Sequence, residues 1–503
     1  MKIMQITVQV GRAEAASEEI LVLTHCEGES LAKQDAAPLD RALGGALNKL
    51  VQSKEFEGKA NEVLLFHTQG KVAVKRVVLV GLGKKSEITI ETIRQALGTV
   101  AKRVRQTKVE SFSVALPTVM PGRMSSIEVA QAMVEGAVLG SYQFTVYRSE
   151  PASGKDIAGM RILIPRKVLL RQVLEGVRRG VATAEATVFV RDLCNHPSNV
   201  LTPARVADEA KTLARAEGIA IKILEQKEME RLGMGALLGV ARGSQEPPKF
   251  IILEYNGTKK KDEPPVVLVG KTITFDTGGI SLKPAENMEH MKADMTGGAE
   301  VLASIRAAAR LKLPLRLISI LPVAENMPGG RAMKPGDIVK TLSGKTVEVQ
   351  NTDAEGRLIL ADGLAYAMRY KPATLIDIAT LTGACVVALG QFAIGMFGTD
   401  RTLKEQVRKA GQTAGERVWE MPLWEEYFEQ LKSDVADMRN IGGRGGGMIT
   451  AALFLSKFVG DCPWVHLDIA STDWSERERA YVPKGPTAIG TRLLVQYLID
   501  RSL

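Results

Sequence analysis

The sequence contains few histidines and few cysteines, and each shortage argues against a class of site. Its 503 residues include five histidines, and no two of them have the HExxH spacing of a large class of zinc enzymes. The four cysteines lie far apart and form no CxxC pair, which argues against a disulfide framework and a thiolate zinc site. No serine or cysteine lies in a nucleophile motif such as GxSxG, so covalent catalysis is unsupported.

Long apolar runs and nucleotide-binding motifs are also missing. No apolar run approaches the ~20 residues of a membrane span, and residues 1–10 alternate like a β-strand instead of forming a signal peptide. We therefore expect a cytoplasmic protein that does not enter a membrane. Gly270-Lys271-Thr272 resembles the end of a P-loop, but Pro265 stands where the first glycine is required.

Positive charge exceeds negative charge, with a formal net charge of +9. The excess lies mainly between residues 51 and 200, and its densest group consists of Arg161, Arg166, Lys167, Arg171, Arg178 and Arg179. Such a group is typical of a solvated face or of a contact between subunits. A patch that binds nucleic acid is the alternative explanation. Aromatic residues make up 5% of the chain and do not interleave with these cations, so nucleic acid is the weaker alternative.

Strands alternate with helices along the chain, which predicts an α/β fold in two domains. We expect a smaller N-terminal α/β domain over residues 1–165, a connecting helix over 166–195 and a larger C-terminal domain over 196–503. The larger domain should have a mostly parallel central sheet flanked by helices. Its strands are predicted at residues 219–224, 250–255, 266–269, 315–322, 374–378 and 464–469.

The octapeptide 351–358, with the sequence NTDAEGRL, places two carboxylates and a guanidinium at alternate positions. In an extended or tightly turned backbone such residues project to one side, so we expect Asp353, Glu355 and Arg357 to face one site. Two carboxylates this close repel each other unless a cation lies between them. Arg357 is one candidate for that cation, and a metal ion is the other.

A second polar segment, residues 270–284, follows the apolar run 266–269. A buried strand that ends in polar residues is typical of an open α/β sheet, whose sites lie at the carboxyl ends of its strands. This segment and its continuation supply four charged side chains: Lys271, Asp276, Lys283 and Asp294. Judged from the residues alone, Lys271 is an ion-pair partner for Asp276.

The two segments together provide four carboxylates with almost no imidazole nearby. Ligand sets dominated by oxygen bind hard divalent ions, and with one added amine they suit Mn, Mg, Zn or Co. A two-metal phosphoesterase would use the same kind of cluster, so the residue types alone leave the substrate class open.

The octapeptide 351–358 resembles the signature of the leucyl aminopeptidase family, the hexameric two-metal cytosolic aminopeptidases. Four further blocks resemble that family in order and spacing: residues 270–284, 291–295, 379–384, and 464–470 with 483–487. The similarity extends over residues 170–503, and the N-terminal third carries no comparable motif. The resemblance implies a cytoplasmic homohexamer that removes leucine-like residues from peptides with a free N-terminus.

The resemblance also implies a role for individual residues. Two divalent ions would share a water molecule and be held by five side chains: Lys271, Asp276, Asp294, Asp353 and Glu355. Asp276 and Glu355 would each contact both ions. Lys271 would bind as a neutral amine, because nearby dications in a dry cleft lower its pKa.

Lys283 and Arg357 would act in catalysis without binding metal. Lys283 would stabilise the developing oxyanion, an effect that can be worth about 3 kcal/mol. Arg357 resembles the family arginine that grips a bicarbonate ion, and bicarbonate would serve as the general base. The substrate wall would consist of Met291, Thr380, Leu381 and Gly383, with core packing as the alternative for Met291.

Overall fold

The computed structural model describes residues 4–31, 36–117, 124–150, 155–258, 260 and 262–503. The chain divides into two compact units, Met1–Glu185 with Arg477–Lys484, and Ala186–Glu476 with Gly485–Leu503. Helix α5, Leu170–Asn195, contains the division between the units. Within the described ranges, no helix is both long enough and apolar enough to cross a membrane.

The first unit is built on a six-stranded sheet. Its strands are β1 Gln5–Val10, β2 Ile20–His25, β3 Val63–His67, β4 Arg76–Gly81, β5 Ser111–Ala115 and β6 Gly159–Ile164. Their order is β1-β6-β5-β2-β4-β3, and all neighbours are parallel except the edge pair β3–β4. The strand predicted over residues 1–10 is present as β1, although residues 1–3 lie outside the described part of the chain.

Four helices accompany this sheet: α1 Ala37–Ala42, α2 Ala46–Gln52, α3 Ile90–Gln106 and α4 Ser126–Gly140. The two long helices begin at hydroxyl residues, because Thr89 and Ser125 each accept a hydrogen bond from a free backbone N–H of the first turn. Both caps are reciprocal capping boxes, which fix the start of each helix.

Three of the six residues of the dense basic group form ion pairs with two carboxylates of the first unit. Arg161 pairs with Glu18 at 3.0 Å, and Glu175 pairs with Arg178 at 2.8 Å and with Arg179 at 2.7 Å. These pairs leave less free positive charge for a polyanion than the sequence count alone indicates.

The second unit contains a nine-stranded sheet. In the order in which they pair, eight of its strands are β16 Val418–Glu420, β15 Ile394–Gly398, β18 Trp464–Asp468, β14 Thr374–Ala379, β9 Val266–Gly270, β11 Arg316–Asn326, β8 Lys249–Asn256 and β7 Ala220–Leu224. The ninth, β10 Thr272–Asp276, pairs with the end of β11. The central run β18-β14-β9-β11 is parallel, as predicted, and the antiparallel pairs lie toward the edges.

The remaining elements of the second unit surround this sheet or form small ribbons. The helices are α6 Pro203–Glu217, α7 Gln226–Leu232, α8 Gly235–Ala241, α9 Thr296–Arg310, α10 Gly356–Ala367, α11 Gly383–Leu389, α12 Arg401–Ala414, α13 Gly447–Ser456 and α14 Thr491–Arg501. The short strands are β12 Ile338–Lys340, β13 Thr346–Glu348, β17 Met438–Arg439, β19 Trp474–Ser475 and β20 Gly485–Pro486.

Strands β9, β14 and β18 are buried along their whole length, which matches their mainly apolar sequences. All six strands predicted for the larger domain are present, with ends that differ by a few residues. The sequence interpretation missed β10, which follows β9 after the single residue Lys271. Lys271 therefore lies between two strands, and the sheet holds it on both sides.

Candidate metal and substrate site

One cleft of the second unit brings the predicted site residues together. It has a volume of about 470 Å³ and lies where the central parallel strands end. All eleven candidate residues line it: Lys271, Asp276, Lys283, Met291, Asp294, Asp353, Glu355, Arg357, Thr380, Leu381 and Gly383. The expectation that segments distant in sequence would meet at the carboxyl edge of the sheet is confirmed.

Lys271 is buried at the centre of the cluster and contacts two carboxylates. Its Nζ lies 2.7 Å from Asp294 Oδ1 and 2.8 Å from Glu355 Oε1, and it donates a hydrogen bond to the carbonyl of Thr380 at 2.9 Å. Asp276 is not among these ion-pair partners, contrary to the pairing expected from the residues alone. Burial opposes the charge on Lys271, but Asp294 and Glu355 outweigh it and raise the pKa of the amine.

Lys283 joins the other two carboxylates of the cluster. Its Nζ lies 2.9 Å from Asp276 Oδ2 and 2.5 Å from Asp353 Oδ1. Burial again opposes the charge, and the two aspartates raise the pKa of Lys283 above its usual range. Lys283 is half-buried and faces the cleft, so its ammonium can reach a bound molecule.

The turn after β10 fixes the orientation of Asp276. Its Oδ1 accepts hydrogen bonds from the backbone of Gly278 and from Asn326 Nδ2, each at 2.8 Å. Gly278 has a φ of 85°, and a Cβ there would lie 2.9 Å from Asp353 Oδ1, so this position requires glycine. These bonds direct the other carboxylate oxygen of Asp276, Oδ2, toward Lys283.

The carboxylates fit a set of metal ligands. One oxygen from each of Asp276, Asp353 and Glu355 lies within 4.8 Å of the others. Asp294 Oδ2 and Glu355 Oε2 are buried and accept no hydrogen bond from any described residue. Burial raises the pKa of both Asp294 and Glu355, and the nearby carboxylate of Asp276 adds to this effect, while the Lys271 ammonium opposes it. Oxygen atoms in this state are suited to a hard divalent ion.

Arg357, Asp353 and Glu355 all line the cleft, but Arg357 forms no ion pair with either carboxylate in the described structure, so the ion-pair alternative for Arg357 is not met. Helix α10 begins at Gly356, so Arg357 follows helical geometry instead of continuing an extended chain. Its Nη1 donates to the carbonyl of Asn440 at 2.9 Å, while its buried Nε has no hydrogen-bond partner among the described residues. Burial lowers the pKa of Arg357 to about 10, with Glu355 and Asp468 acting in the opposite direction.

The predicted substrate wall is held by hydrogen bonds to two acidic residues. Thr380 Oγ1 donates to Asp294 Oδ1 at 2.7 Å. Asp468, at the end of β18, accepts hydrogen bonds from the backbone of Leu381 at 3.2 Å and from Thr382 Oγ1 at 2.6 Å. Asp468 therefore fixes the loop after β14, although the sequence interpretation gave it no role.

Other residues that order the site were also missed. Asn440 donates to the carbonyl of Asn351 at 2.6 Å and accepts from the backbone of Gln350 at 2.8 Å, which braces the turn that carries Asp353. The position of Asp468 at the end of an apolar strand was a usable signal, because Asp276 occupies the same kind of position. Asn440 follows the two-residue strand β17, which has no apolar run, so nothing in its local sequence marks it.

The sequence matches both domains of one family. The description "Cytosol aminopeptidase family, catalytic domain" matches residues 188–495, and "Cytosol aminopeptidase family, N-terminal domain" matches residues 20–151. A probable cytosol aminopeptidase of Geotalea uraniireducens is 49% identical over 461 residues, which cover 92% of each chain. That of Roseiflexus castenholzii is 45% identical over 500 residues, which cover 99% of each chain.

Two solved structures are similar over nearly the whole chain. The bottromycin maturation enzyme BotP in complex with Mn is 35% identical, with a TM-score of 0.85 over 97% of this chain and 100% of that one. A mutant of tomato leucine aminopeptidase is 33% identical, with a TM-score of 0.87 over 99% of this chain and 96% of that one. These similarities give no support to the nucleic-acid alternative. The chain belongs to the cytosol aminopeptidase family, whose members are peptidases of the hydrolase class.

Proposed function

We propose that the chain is a metal-dependent aminopeptidase that releases leucine-like N-terminal residues from peptides by means of two divalent ions. The observation that carries this proposal is the pair of buried, unpartnered oxygens, Asp294 Oδ2 and Glu355 Oε2, beside a close group of three carboxylates. The similar enzyme BotP forms a complex with Mn, which adds support for a divalent ion in this chain.

Five side chains would hold the ions: Lys271, Asp276, Asp294, Asp353 and Glu355. When bound, the ions would lower the pKa of a water molecule and take up the free α-amine of the substrate. Mn, Zn, Mg and Co all suit oxygen-rich sets of this kind. The ammonium of Lys271 marks a place where two carboxylates require positive charge. A dication there would supply that charge and allow Lys271 to become a neutral ligand.

Lys283 would keep its proton and donate it in a hydrogen bond to the carbonyl oxygen of the scissile bond. Asp276 and Asp353 stabilise its ammonium form, so the positive charge is present before the substrate arrives. The side chain is half-buried, and partial exclusion of water strengthens this interaction with an oxyanion.

Arg357 would bind bicarbonate beside the reacting bond. Its Nε has no acceptor among the residues that the structure describes, while Nη1 donates to the carbonyl of Asn440. A guanidinium anchored at one end presents its remaining donors to a planar anion in a fixed orientation. Bound bicarbonate would act as the general base of the reaction.

The substrate backbone would lie along the loop that contains Thr380, Leu381 and Gly383, with its side chain against Met291. Asp468 and Asp294 already hold this loop, so little ordering would accompany binding. We also propose that the protein assembles as a cytoplasmic homohexamer, by resemblance to its family. Native mass spectrometry tests this point, and a monomer would contradict it.

The release of leucine from Leu-Gly-Gly tests the reaction. With Mn present, mass spectrometry should detect free leucine from this peptide and none from its N-acetylated form, because the ions would require a free amine. Cleavage of the acetylated peptide, or of an internal bond first, would contradict the proposal. Metal analysis of the same sample should give two ions per chain.

A further inference from the structure

Asp473 is a carboxylate of the cleft without a lysine partner. Five carboxylates line the cleft: Asp276, Asp294, Asp353, Glu355 and Asp473. The first four contact Lys271 or Lys283 within 2.9 Å. Asp473 forms no ion pair with any lysine, arginine or histidine among the described residues. Among the carboxylates that line the described cleft, it is therefore the one without an ion-pair partner, although the backbone N–H groups of Asp473 and Trp474 lie close enough to donate to it.

The backbone of Asp473 is fixed on both sides. Its N–H donates to the carbonyl of Ile469 at 2.9 Å, and its own carbonyl accepts from the backbone N–H of Thr487 at 2.8 Å and from the Thr487 hydroxyl at 3.2 Å. These bonds fix the backbone of Asp473, so its side chain projects from a fixed point of the cleft wall.

Asp473 belongs to the same wall as Met291. The next residue, Trp474, stacks on His290 with ring centroids 4.0 Å apart and an interplanar angle of 26°. His290 precedes Met291 in the short 3-10 helix Met288–Ala293. This stacking ties the Asp473 turn to the helix that carries Met291, so an apolar side chain and a carboxylate line the cleft from adjoining segments.

A wall of this composition fits a side chain with an apolar stem and a cationic tip. Lysine and arginine have this form, whereas a leucine side chain would cover the carboxylate without offering it a hydrogen bond. Burial is the largest cause that raises the pKa of Asp473 to about 7, and Asp468 adds to it. A cation that pairs with the carboxylate would relieve the cost of its charge.

We propose that Asp473 is a specificity-determining residue that favours lysine or arginine over an apolar N-terminal residue with a stem of the same length. The inference rests on the proposed aminopeptidase function and adds basic residues to the leucine-like ones proposed above. The aliphatic stem of the side chain lies along Met291, and its ammonium or guanidinium pairs with the Asp473 carboxylate.

The test compares p-nitroanilides of lysine and norleucine, which share a four-carbon stem and differ in the terminal amine. The wild-type protein with Mn should have a higher kcat/KM for lysine than for norleucine. Asp473→Asn should lower the lysine-to-norleucine ratio of kcat/KM at least tenfold, because it removes the charge and keeps the shape. Glu476→Gln neutralises an exposed carboxylate that does not line the cleft, so the ratio should stay unchanged.

The outcomes separate this inference from the function on which it rests. A wild-type protein that hydrolyses norleucine at least as well as lysine, or an unchanged ratio in Asp473→Asn, would overturn the role of Asp473 alone. Inactivity of the wild type on every amino-acid anilide would overturn the aminopeptidase proposal and this inference with it. If circular dichroism shows that Asp473→Asn does not fold, Asp473→Ser takes its place. The lysine-to-norleucine ratio of kcat/KM in the wild type and in Asp473→Ser then tests the role of Asp473.

Discussion

Gly356 packs so closely against Lys271 that no larger residue fits between them. A Cβ on Gly356 would lie 2.5 Å from Lys271 Cε and 2.8 Å from Nζ, well inside normal van der Waals contact. Glycine at the start of α10 therefore allows the Lys271 amine to reach Glu355, whose Oε1 lies 2.8 Å away. The glycine of the octapeptide is thus a requirement of tertiary packing.

Gly356→Ala should displace the Lys271 amine from Asp294 and Glu355. Misplacement of a site group by about 1 Å can cost about 100-fold in rate, and we expect a loss of at least that size in kcat/KM for leucine p-nitroanilide. Gly330→Ala is the matched control, since a Cβ there meets nothing within 4 Å. Wild-type activity in Gly356→Ala would contradict the packing argument.

Removal of a shared carboxylate should abolish activity and metal binding together. Asp276→Ala and Glu355→Ala each remove a ligand proposed to contact both ions, so we expect a loss of at least about 1,000-fold in kcat, the upper range for loss of one electrostatic group. Elemental analysis after gel filtration should find less metal bound per chain. Near-wild-type turnover in either variant would refute the ligand assignment. Asp461→Ala, which changes an exposed carboxylate away from the cleft, serves as the control.

Arg357→Ala should slow the reaction without loss of metal. The side chain contacts Asn440 and no proposed ligand, so the ligand set should persist while the bicarbonate position is lost. We expect kcat to fall by about 100-fold, the order found when one electrostatic group is removed from an active site. Steady-state kinetics and elemental analysis on the same sample are the measurements. Unchanged turnover, or a loss of metal, would contradict the role assigned to Arg357.

Asp362 should make stability depend on pH. It accepts backbone hydrogen bonds from Leu237 at 2.9 Å and Leu342 at 2.7 Å, and burial raises its pKa to about 7. The folded chain therefore keeps a proton that the unfolded chain, with a pKa of about 3.9, has released. The contribution of Asp362 to the free energy of unfolding is therefore fully present below about pH 4 and is lost as the pH rises toward about 7. Over that window it falls by up to about 1.4 kcal/mol per pH unit.

Urea denaturation of the wild type and Asp362→Asn between pH 5 and pH 8 checks this contribution. Asparagine cannot titrate, so the free energy of unfolding of the variant should fall less steeply with rising pH. If the free energy of unfolding changes with pH equally in the wild type and in Asp362→Asn, Asp362 keeps an ordinary pKa in the folded protein.

The features that depend on short stretches of sequence, such as the buried strands and the edge of the sheet where the site lies, could be predicted from the sequence. The apolar run of β9 and the polar residues after it placed a site at the carboxyl edge of a parallel sheet, and the cleft lies there. Seven of the eleven candidate residues came from the two polar segments, and the family resemblance supplied their roles and the four residues of the substrate wall. All eleven line that cleft.

The partners within the site could not be predicted, because they depend on tertiary packing. The sequence left Arg357 and a metal ion as alternatives for the cation between Asp353 and Glu355. Helix α10 starts one residue before Arg357, and the arginine forms no ion pair with either carboxylate among the described residues. The charges that contact these carboxylates come from Lys283 and Lys271, which are distant in sequence. Asp473 carried no local signal, since only the folded cleft places it beside the segment of Met291.

The most direct test of the account is hydrolysis of leucine p-nitroanilide after chelation and after Mn is added back. The proposed ligands predict that activity is lost with the metal and returns with Mn, and that N-acetylated leucine p-nitroanilide is not cleaved in either state. Full activity in a protein shown by elemental analysis to be free of metal would contradict the central claim.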